Sequence, residues 1–405
     1  MKKKSFKKMT AILGASFCTM ALLLACDKGA GTADDNSGAE AGNNTVVVSM
    51  PTNDDETHSA SGNENLDNTA SEIDDSDLFL EAKEGFYRSE LTNEWIDESL
   101  KNQRPVCIMV DNELTALDHY GINQADVVYE MMNSTANGRV TRLMCVVKDW
   151  ANIEQFGSIR STRPTNVVIA GEWNGILIHD GGPFYINDYL ALPFSNNISG
   201  GFARFSNGKA TEFTEYVTYD SYTNPNTGKT YPGLADRIKA YNYSTEYNKF
   251  YPGEHWNFAS GYSTMDKDSK ASSCSDIQLP FPHNQSELKY NESTKKYEYY
   301  EYGKPHIDKM DNDNVTSFTN VILEARSFIQ YDENGYLIYN ITDSTTNEGY
   351  YITRGVAVPI KWEKKSFETI THYYYKSTGK EIDINTGKTY IAYVPSDSWS
   401  EVIIK

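Results

Sequence analysis

Residues 104–112 read RPVCIMVDN, in which a continuous apolar run from Val106 to Val110 ends in Asp111 and Asn112. A short apolar run bounded by polar residues is typical of a buried strand that leads into a polar loop. Similar runs follow at 126–131, 142–147 and 176–179, with a shorter one at 156–160. The sequence therefore predicts a sheet whose strands are largely covered by other elements.

A helix start lies between two of these runs. Ser161 and Thr162 offer a capping hydroxyl, and Pro164 suits the first turn of a helix, which then continues to Trp173. Strands that alternate with helical stretches predict an α/β layer in this part of the chain.

The residues after 297 show a β pattern. Alternating or apolar runs occur at 318–331, 336–341, 349–353, 356–362, 369–375 and 388–393. The hexapeptide NTGKTY occurs twice, at 226–231 and 385–390, and we interpret it as a recurrent hairpin turn with glycine at positive φ. The predicted fold class is α+β, with an N-terminal α/β layered domain followed by a mostly antiparallel β-rich domain.

The N-terminus predicts a lipoprotein signal. Lysines at positions 2, 3, 4, 7 and 8 precede an apolar run from Ala11 to Ala25, which is too short to span a bilayer. The run ends in Leu23-Leu24-Ala25-Cys26, which resembles the bacterial lipobox, in which the cysteine is lipidated. We expect acyl chains on Cys26 to anchor the protein to its partner, the cell membrane, on the extracytoplasmic face. An ordinary secretory signal or a short transmembrane anchor is the alternative.

An acidic segment follows the signal. Residues 27–84 hold fifteen Asp and Glu against two Lys and few apolar side chains, which favours a disordered tether, with an acidic partner-binding tail as the alternative. The predicted organisation is a signal peptide (1–25), a tether (26–84), an α/β domain with a Tyr- and Asn-rich loop region (85–290) and a β-rich domain (291–405).

Charge and cysteine spacing exclude several classes of function. A net charge of −19 disfavours binding to nucleic-acid phosphates. Cys107, Cys145 and Cys274 show no CxxC spacing, so neither a disulfide framework nor a zinc site is predicted. The acids at 308, 311 and 313 lack the glycine and the distal glutamate of a calcium loop. No metal and no cofactor are predicted.

Several ordered motifs resemble the YerB family of bacterial lipoproteins. They are RPVCIMVDN (104–112), GINQADVVYEM (121–131), GRVTRLMCVV (138–147), GSIRSTR (157–163), ILIHDGG (176–182), YEYYEYGKPHID (297–308), GYYITRGVAVPIKWEK (349–364) and GKEIDINTGKTYIAYVP (379–395). The resemblance implies a lipid-anchored envelope protein with two domains of unknown function. It supplies no established catalytic residues.

Four of the ten arginines, at positions 139, 142, 160 and 163, fall within 25 residues. Guanidinium groups suit planar carboxylate and phosphate groups, and ligands of open α/β sheets gather outside strand ends. We therefore predict one ligand-binding site for an anionic cell-envelope component, either peptidoglycan or a wall polymer. Its residues are Asp111, Asn112, Glu130, Arg142, Arg160, Ser161, Arg163 and His179.

Other interpretations of these residues stay open. Glu130 and the arginines can pair with one another and only hold loops in place. A hydrolase or transferase could use Glu130 and His179 as acid and base, although no GxSxG elbow surrounds Ser161. An envelope protein is a further possible partner, either as the ligand or in a scaffold.

Overall fold

The computed structural model describes residues 81–263, 265–342 and 347–405. The predicted signal peptide, Cys26 and nearly all of the predicted tether lie outside the described residues. Among the helices described, none is long and apolar enough to cross a membrane. The α-helices are α1 (Pro164–Glu172), α2 (Asn187–Leu190) and α3 (Leu234–Ala240). Single 3-10 turns are found at Glu98–Leu100, Leu114–Ala116, Ile122–Gln124, Trp150–Asn152, Phe184–Ile186, Thr211–Phe213 and Trp399–Glu401.

Most of the regular structure is β. In the first part of the chain the strands are β1 (Phe86–Arg88), β2 (Trp95–Asp97), β3 (Val106–Asp111), β4 (Val127–Met132), β5 (Thr141–Val147), β6 (Phe156–Gly157), β7 (Ile176–His179), β8 (Asn196–Ser199), β9 (Ala203–Arg204), β10 (Glu215–Val217), β11 (Tyr222–Thr223), β12 (Thr230–Tyr231), β13 (Asn257–Phe258), β14 (Ser272–Ser273) and β15 (Asp276–Gln278). In the second part they are β16 (Glu287–Asn291), β17 (Lys296–Glu301), β18 (Lys304–Pro305), β19 (Ile307–Asp308), β20 (Asn314–Val315), β21 (Ser317–Phe318), β22 (Asn320–Arg326), β23 (Phe328–Gln330), β24 (Leu337–Tyr339), β25 (Glu348–Thr353), β26 (Val356–Glu363), β27 (His372–Tyr375), β28 (Asp383–Ile384), β29 (Thr389–Pro395) and β30 (Ile403–Ile404).

An 11-stranded mixed sheet forms the centre of the structure. Its order is β14-β26-β25-β22-β29-β4-β5-β3-β7-β8, with β27 also beside β26. Strand β29 lies between β22 and β4 and is parallel to both, whereas β5 is antiparallel to both β4 and β3. Strands from before and after residue 290 therefore share this sheet. The α+β class is confirmed, and the limits of the two domains stay a prediction.

A second sheet has six strands and is antiparallel throughout. Its order is β18-β17-β16-β15-β30, with β21 also beside β17. Apolar side chains of this sheet share one core with side chains of the central sheet, so the two sheets pack on each other. The predicted antiparallel β structure of the C-terminal part is confirmed here and in β25, β26 and β27.

Both faces of the central sheet are covered. On one face, Met109 of β3 and Leu177 of β7 share a core with Val167 and Ile169 of α1, and we call this the α1 face. On the other face, which we call the opposite face, Ile108 and the side chains that point in the same direction pack with the six-stranded sheet and with α3. Because successive residues point to opposite faces, burial on both sides explains why the strands read as continuous apolar runs.

The repeated hexapeptide adopts two different structures. At 226–231 it forms the predicted hairpin turn between β11 and β12, with Gly228 at a φ of 68°. At 385–390 the hairpin prediction is wrong, because β28 pairs with β13 whereas β29 pairs with β22 and β4. A Cβ atom at Gly387 would lie 2.2 Å from Thr319 Oγ1, so this glycine allows a close approach between two segments.

The three cysteines described are buried and form no disulfide. Cys107 packs on the α1 face and Cys145 on the opposite face, where both fill the core as small apolar side chains. Burial raises the pKa of the Cys107 thiol to about 12, so its reactive thiolate is scarce at neutral pH.

One carboxyl group next to the central sheet should make the stability depend on pH. Asp126 precedes β4, and its Oδ2 accepts a hydrogen bond of 2.7 Å from the backbone N–H of Lys148. Burial raises the pKa of the Asp126 carboxyl to about 7. Between about pH 4 and pH 7 the unfolded chain loses this proton while the folded chain keeps it. The free energy of unfolding therefore falls with rising pH across this window and is level above it.

We expect an Asp126→Asn variant to escape that loss. From pH 4 to pH 8 the free energy of unfolding of this variant should rise by about 2 kcal/mol relative to that of the wild type. This is roughly half of the change that the full shift in the pKa of Asp126 implies, because the side chain is partly exposed. Urea titrations at several pH values measure this difference, and the exposed Asp220→Asn variant is the control. Parallel pH profiles of the wild type and Asp126→Asn would contradict the prediction.

Candidate functional site

Three of the predicted site residues meet at the edge of the central sheet that is formed by the ends of β3 and β7. Asp111 ends β3 and His179 ends the parallel strand β7, while Arg142 lies directly opposite Asp111 on β5. Asp111 alternates with Val110, Arg142 with Leu143 and His179 with Ile178, and these three apolar side chains belong to the core of the opposite face. Asp111, Arg142 and His179 therefore lie on the α1 face.

The segment before α1 crosses this edge and brings three further residues to it. The backbone N–H of Arg160 donates to Met109 O at 3.1 Å, and that of Thr162 donates to Gly181 O at 3.1 Å. These bonds fasten the segment between the ends of β3 and β7. Arg160, Ser161 and Arg163 thus lie beside the strand ends, immediately before the helix.

The helix begins at Pro164, as the sequence predicts, but its cap differs from the prediction. Arg163 is the N-cap residue, and its backbone N–H donates to Asn166 Oδ1 at 3.0 Å. No hydroxyl caps the helix. Ser161 Oγ instead accepts hydrogen bonds from guanidinium groups, which leaves this side chain in the site and not in the cap.

Two guanidinium groups share the Ser161 hydroxyl. Arg142 Nη1 donates to Ser161 Oγ at 2.8 Å, and Arg163 Nη1 donates to the same oxygen at 3.2 Å. Asn133 holds both side chains in place, since its Oδ1 accepts from Arg142 at 3.0 Å and its backbone O accepts from Arg163 at 3.3 Å. We call Arg142, Arg160 and Arg163 the arginine cluster.

Arg160, the third member of the arginine cluster, contacts two acidic side chains. Arg160 Nε lies 2.8 Å from Asp111 Oδ2, and its Nη1 donates to Glu212 at 3.0 Å. The contact with Asp111 is close, but the N–H does not point at the oxygen, so charge attraction and not a hydrogen bond joins the two groups. The Arg160 side chain is 26% exposed, so it is the member that solvent reaches most easily.

Arg142 and Arg163 form no ion pair with any acid in the described residues. Burial, together with the nearby charge of Arg142, lowers the pKa of Arg163 to about 10. Arg142 is 7% exposed, its pKa is also lowered by burial, and its buried Nε has no hydrogen-bond partner in the part of the chain that the structure describes. The arginine cluster thus holds more positive than negative charge, although the whole chain has a net charge of −19. Such a group of forked donors is suited to binding an oxyanion.

His179 lies at the same edge but binds its own loop. Its Nδ1 is 2.8 Å from Gly181 O, so this nitrogen carries the proton, and its Nε2 is 3.4 Å from Asn197 Oδ1. Burial lowers the pKa of the imidazole, which favours the neutral ring. These contacts describe a histidine that orders the loop after β7.

Glu130 and Asn112 lie on the opposite face, away from the arginine cluster. Glu130 alternates with Met131 of the α1 face, and its carboxylate accepts hydrogen bonds from hydroxyl groups and not from arginines. Asn112 Nδ2 donates to Thr141 Oγ1 at 2.9 Å, a partner that it shares with Glu130. The structure therefore does not pair Glu130 with the arginines, and it places Glu130 and His179 on opposite faces of the sheet.

Sequence reasoning missed two residues of the site. Asn133 directly follows β4, so the rule that singled out Asp111 at the end of β3 would also have found it. Tyr336 comes from the turn before β24, and its ring lies 3.9 Å from the Arg163 guanidinium carbon. No local signal links Tyr336 to the site, because the turn that carries it is remote in sequence. Its cation–π contact helps to hold the Arg163 side chain.

Two family models match this chain. The model described as "Protein of unknown function (DUF3048) N-terminal domain" matches residues 91–233, and the corresponding C-terminal domain matches residues 277–391. A curated relative in Bacillus subtilis, "Putative lipoprotein YerB", is 28% identical over 94 residues, which are 23% of this chain and 27% of the relative. The match thus spans about a quarter of that relative.

A solved structure has the same fold. The crystal structure of the YerB protein from Bacillus subtilis matches with a TM-score of 0.62 and 18% sequence identity, and the match covers 79% of this chain and 99% of that chain. These findings confirm the resemblance predicted from the motifs. The two domain models match in order and together span more than half of the chain, and the chain therefore belongs to the DUF3048 family.

Proposed function

We propose that this protein is anchored by lipid to the extracytoplasmic face of the cell membrane and binds an anionic cell-envelope component at the arginine cluster. The support for the location is the lipobox-like sequence that ends at Cys26, together with a curated relative whose name is "Putative lipoprotein YerB". The relative's name says nothing of a ligand, so the ligand is argued from the site alone.

The observation that carries the binding proposal is the shared hydroxyl of Ser161. Two buried guanidinium groups point donors at one oxygen atom, and neither is neutralised by a carboxylate in the described structure. An oxyanion beside this hydroxyl would lie within reach of the guanidinium groups of Arg142 and Arg163, with Arg160 on the solvent side. Stem-peptide carboxylates of peptidoglycan and the phosphates of a wall polymer both offer such oxygens.

The test is a binding titration with full-length protein in detergent. One arm uses a muropeptide with free stem-peptide carboxylates, and the other uses a poly(glycerol phosphate) chain. We expect Arg163→Gln and Arg142→Gln each to weaken binding about 10- to 100-fold, since a hydrogen bond to a charged group contributes about 1.5–3 kcal/mol. Arg163→Lys should recover only part of the loss, because it keeps the charge but not the fork.

Arg139→Gln is the matched control. Arg139 is an arginine of the same sequence region, but both of its Nη atoms pair with Asp397, at 2.7 and 2.6 Å. The control should bind like the wild type. Thermal unfolding of each variant separates lost binding from lost folding. The proposal is wrong if the wild type binds neither probe, or if folded Arg142 and Arg163 variants bind as tightly as the wild type.

A further inference from the structure

A second cluster joins the loop after β3 to the hairpin of the six-stranded sheet. His119 follows the 3-10 turn at 114–116, Glu301 ends β17, and His306 lies between β18 and β19. All three side chains are buried, and one potential ligand atom from each lies within 4.8 Å of the other two. His119 and His306 are 187 positions apart, so no spacing rule could find this cluster from the sequence.

The hydrogen bonds of His119 fix the position of its proton. Its Nε2 is 2.6 Å from the backbone O of Asp111. A carbonyl oxygen only accepts, so Nε2 carries the hydrogen. In the neutral ring, Nδ1 then presents its lone pair to His306, whose Nε2 is 2.7 Å away.

His306 is fixed in the same way from its other side. Its Nδ1 is 2.9 Å from Thr316 Oγ1, and that hydroxyl gives its single hydrogen to Asn123 Oδ1 at 2.7 Å. The amide of Asn123 is itself oriented, because its Nδ2 donates to Asp311 at 2.8 Å. Nδ1 of His306 must therefore donate, which leaves a lone pair on Nε2. Two nitrogen lone pairs thus face each other.

The carboxylate of Glu301 completes the arrangement. Glu301 Oε1 is 3.8 Å from His306 Nε2, and the side chain is 1% exposed. Asn284, Tyr299 and Asn112 lie near the carboxyl group, but among the described residues neither of its oxygens has a partner in hydrogen-bond geometry. An unpaired buried carboxylate costs several kcal/mol, so the Glu301 carboxyl group either keeps its proton or exchanges it for a bound cation. One proton shared between the imidazoles would relieve the facing lone pairs, but it would leave both oxygens of Glu301 without a bond.

We infer that His119 Nδ1, His306 Nε2 and a carboxylate oxygen of Glu301 bind a divalent transition-metal ion of the Zn²⁺ type. Two imidazoles and one carboxylate are ligands that such ions prefer. The other nitrogen of each ring is already held by Asp111 O or Thr316 Oγ1, which is the outer contact that metal-binding histidines normally make.

The geometry requires a small opening of the cluster. Tetrahedral Zn–N bonds of about 2.0 Å place the two nitrogens about 3.3 Å apart, so the rings must separate by about 0.6 Å. Glu301 and His306 also line a cavity of about 240 Å³, from which water can supply a further ligand. A bound ion would connect the loop that follows β3 to β17 of the six-stranded sheet.

Zn²⁺ itself is the probe for the test. Full-length protein stripped with a chelator and titrated with Zn²⁺ should bind one equivalent, and its melting temperature should rise. Glu301→Gln keeps the shape of the side chain and introduces no buried charge, so this variant should fold, yet its affinity for Zn²⁺ should fall about 100-fold. His306→Gln should show the same loss.

The matched control is His283→Gln. His283 is a half-buried histidine that also pairs with a carboxylate, Glu113, at 2.9 Å, but it lies outside the cluster. The control should bind Zn²⁺ like the wild type. Substitution with Co²⁺ gives an independent readout, since a site with nitrogen and oxygen ligands produces visible absorption bands. The inference is overturned if the wild type binds no Zn²⁺, or if folded Glu301→Gln binds Zn²⁺ as tightly as the wild type.

Discussion

Replacing Arg326 by methionine is expected to lower the free energy of unfolding by about 3–5 kcal/mol. Arg326 Nε donates to Glu324 Oε2 at 2.7 Å, and Nη1 donates to the backbone O atoms of Asn340 and Ile341. Both charged side chains are fully buried, and the guanidinium lies 3.8 Å from the ring of Trp362. The substitution leaves the Glu324 carboxylate buried without its counter-charge, which is more costly than the loss of the pair itself.

Urea denaturation of the variant and the wild type measures this effect. The double variant Arg326→Met/Glu324→Leu should regain a large part of the lost stability, because it leaves no buried charge. Arg139→Met is the matched control, since it breaks an exposed pair and should change the free energy of unfolding by less than about 1 kcal/mol. A single variant within about 1 kcal/mol of the wild type would show that the buried pair is not decisive.

Glu130→Ala should have an effect of similar size, about 3–5 kcal/mol. The Glu130 carboxylate accepts hydrogen bonds from Ser286 at 2.6 Å, Thr141 at 2.7 Å and Tyr299 at 3.1 Å, and also from Tyr390. Alanine removes the common acceptor of these hydroxyl groups and leaves a cavity. Glu130→Gln keeps an acceptor and the volume, so it should cost only about 1 kcal/mol.

The pair of Glu130 variants also separates a structural role from a catalytic one. A general acid or base contributes about 10²–10⁴-fold to a rate, so in an envelope hydrolase Glu130→Gln would abolish turnover while the protein stays folded. In a binding protein, Glu130→Gln should bind envelope fragments like the wild type and release no product. Denaturation curves and product analysis on the same samples test both statements. Equal destabilisation by alanine and glutamine would contradict the hydroxyl network.

The strands were predictable because the sheet is buried on both faces, but the same burial hid the direction of their polar side chains. The apolar runs around Val106, Leu143 and Ile176 all became central strands, and α1 began at the predicted proline. In β4, however, Glu130 stands among apolar residues with no alternation. The sequence could therefore not show that its carboxylate points away from the arginines.

Contacts between remote segments were the other limit of the sequence. Arg160 and Arg163 flank Ser161 beside the ends of β3 and β7, a position that strand-end rules anticipate. The cluster of His119, Glu301 and His306 depends on the packing of the two sheets, and none of its members lies in a metal-ligand spacing. Nor did the hexapeptide at 385–390 show that β29 would enter the central sheet in place of a hairpin.

The place of β29 in the central sheet sets the order of events during synthesis. Tyr390 of β29 and its partner Glu130 of β4 are 260 positions apart, so a ribosome that adds about 5–20 residues per second needs roughly 13–50 s to supply the missing neighbour. Throughout that interval an apolar strand keeps one edge without a hydrogen-bonding partner, which invites pairing with other chains. Folding of the central sheet is therefore completed only when β29, its last strand in the sequence, docks between β4 and β22.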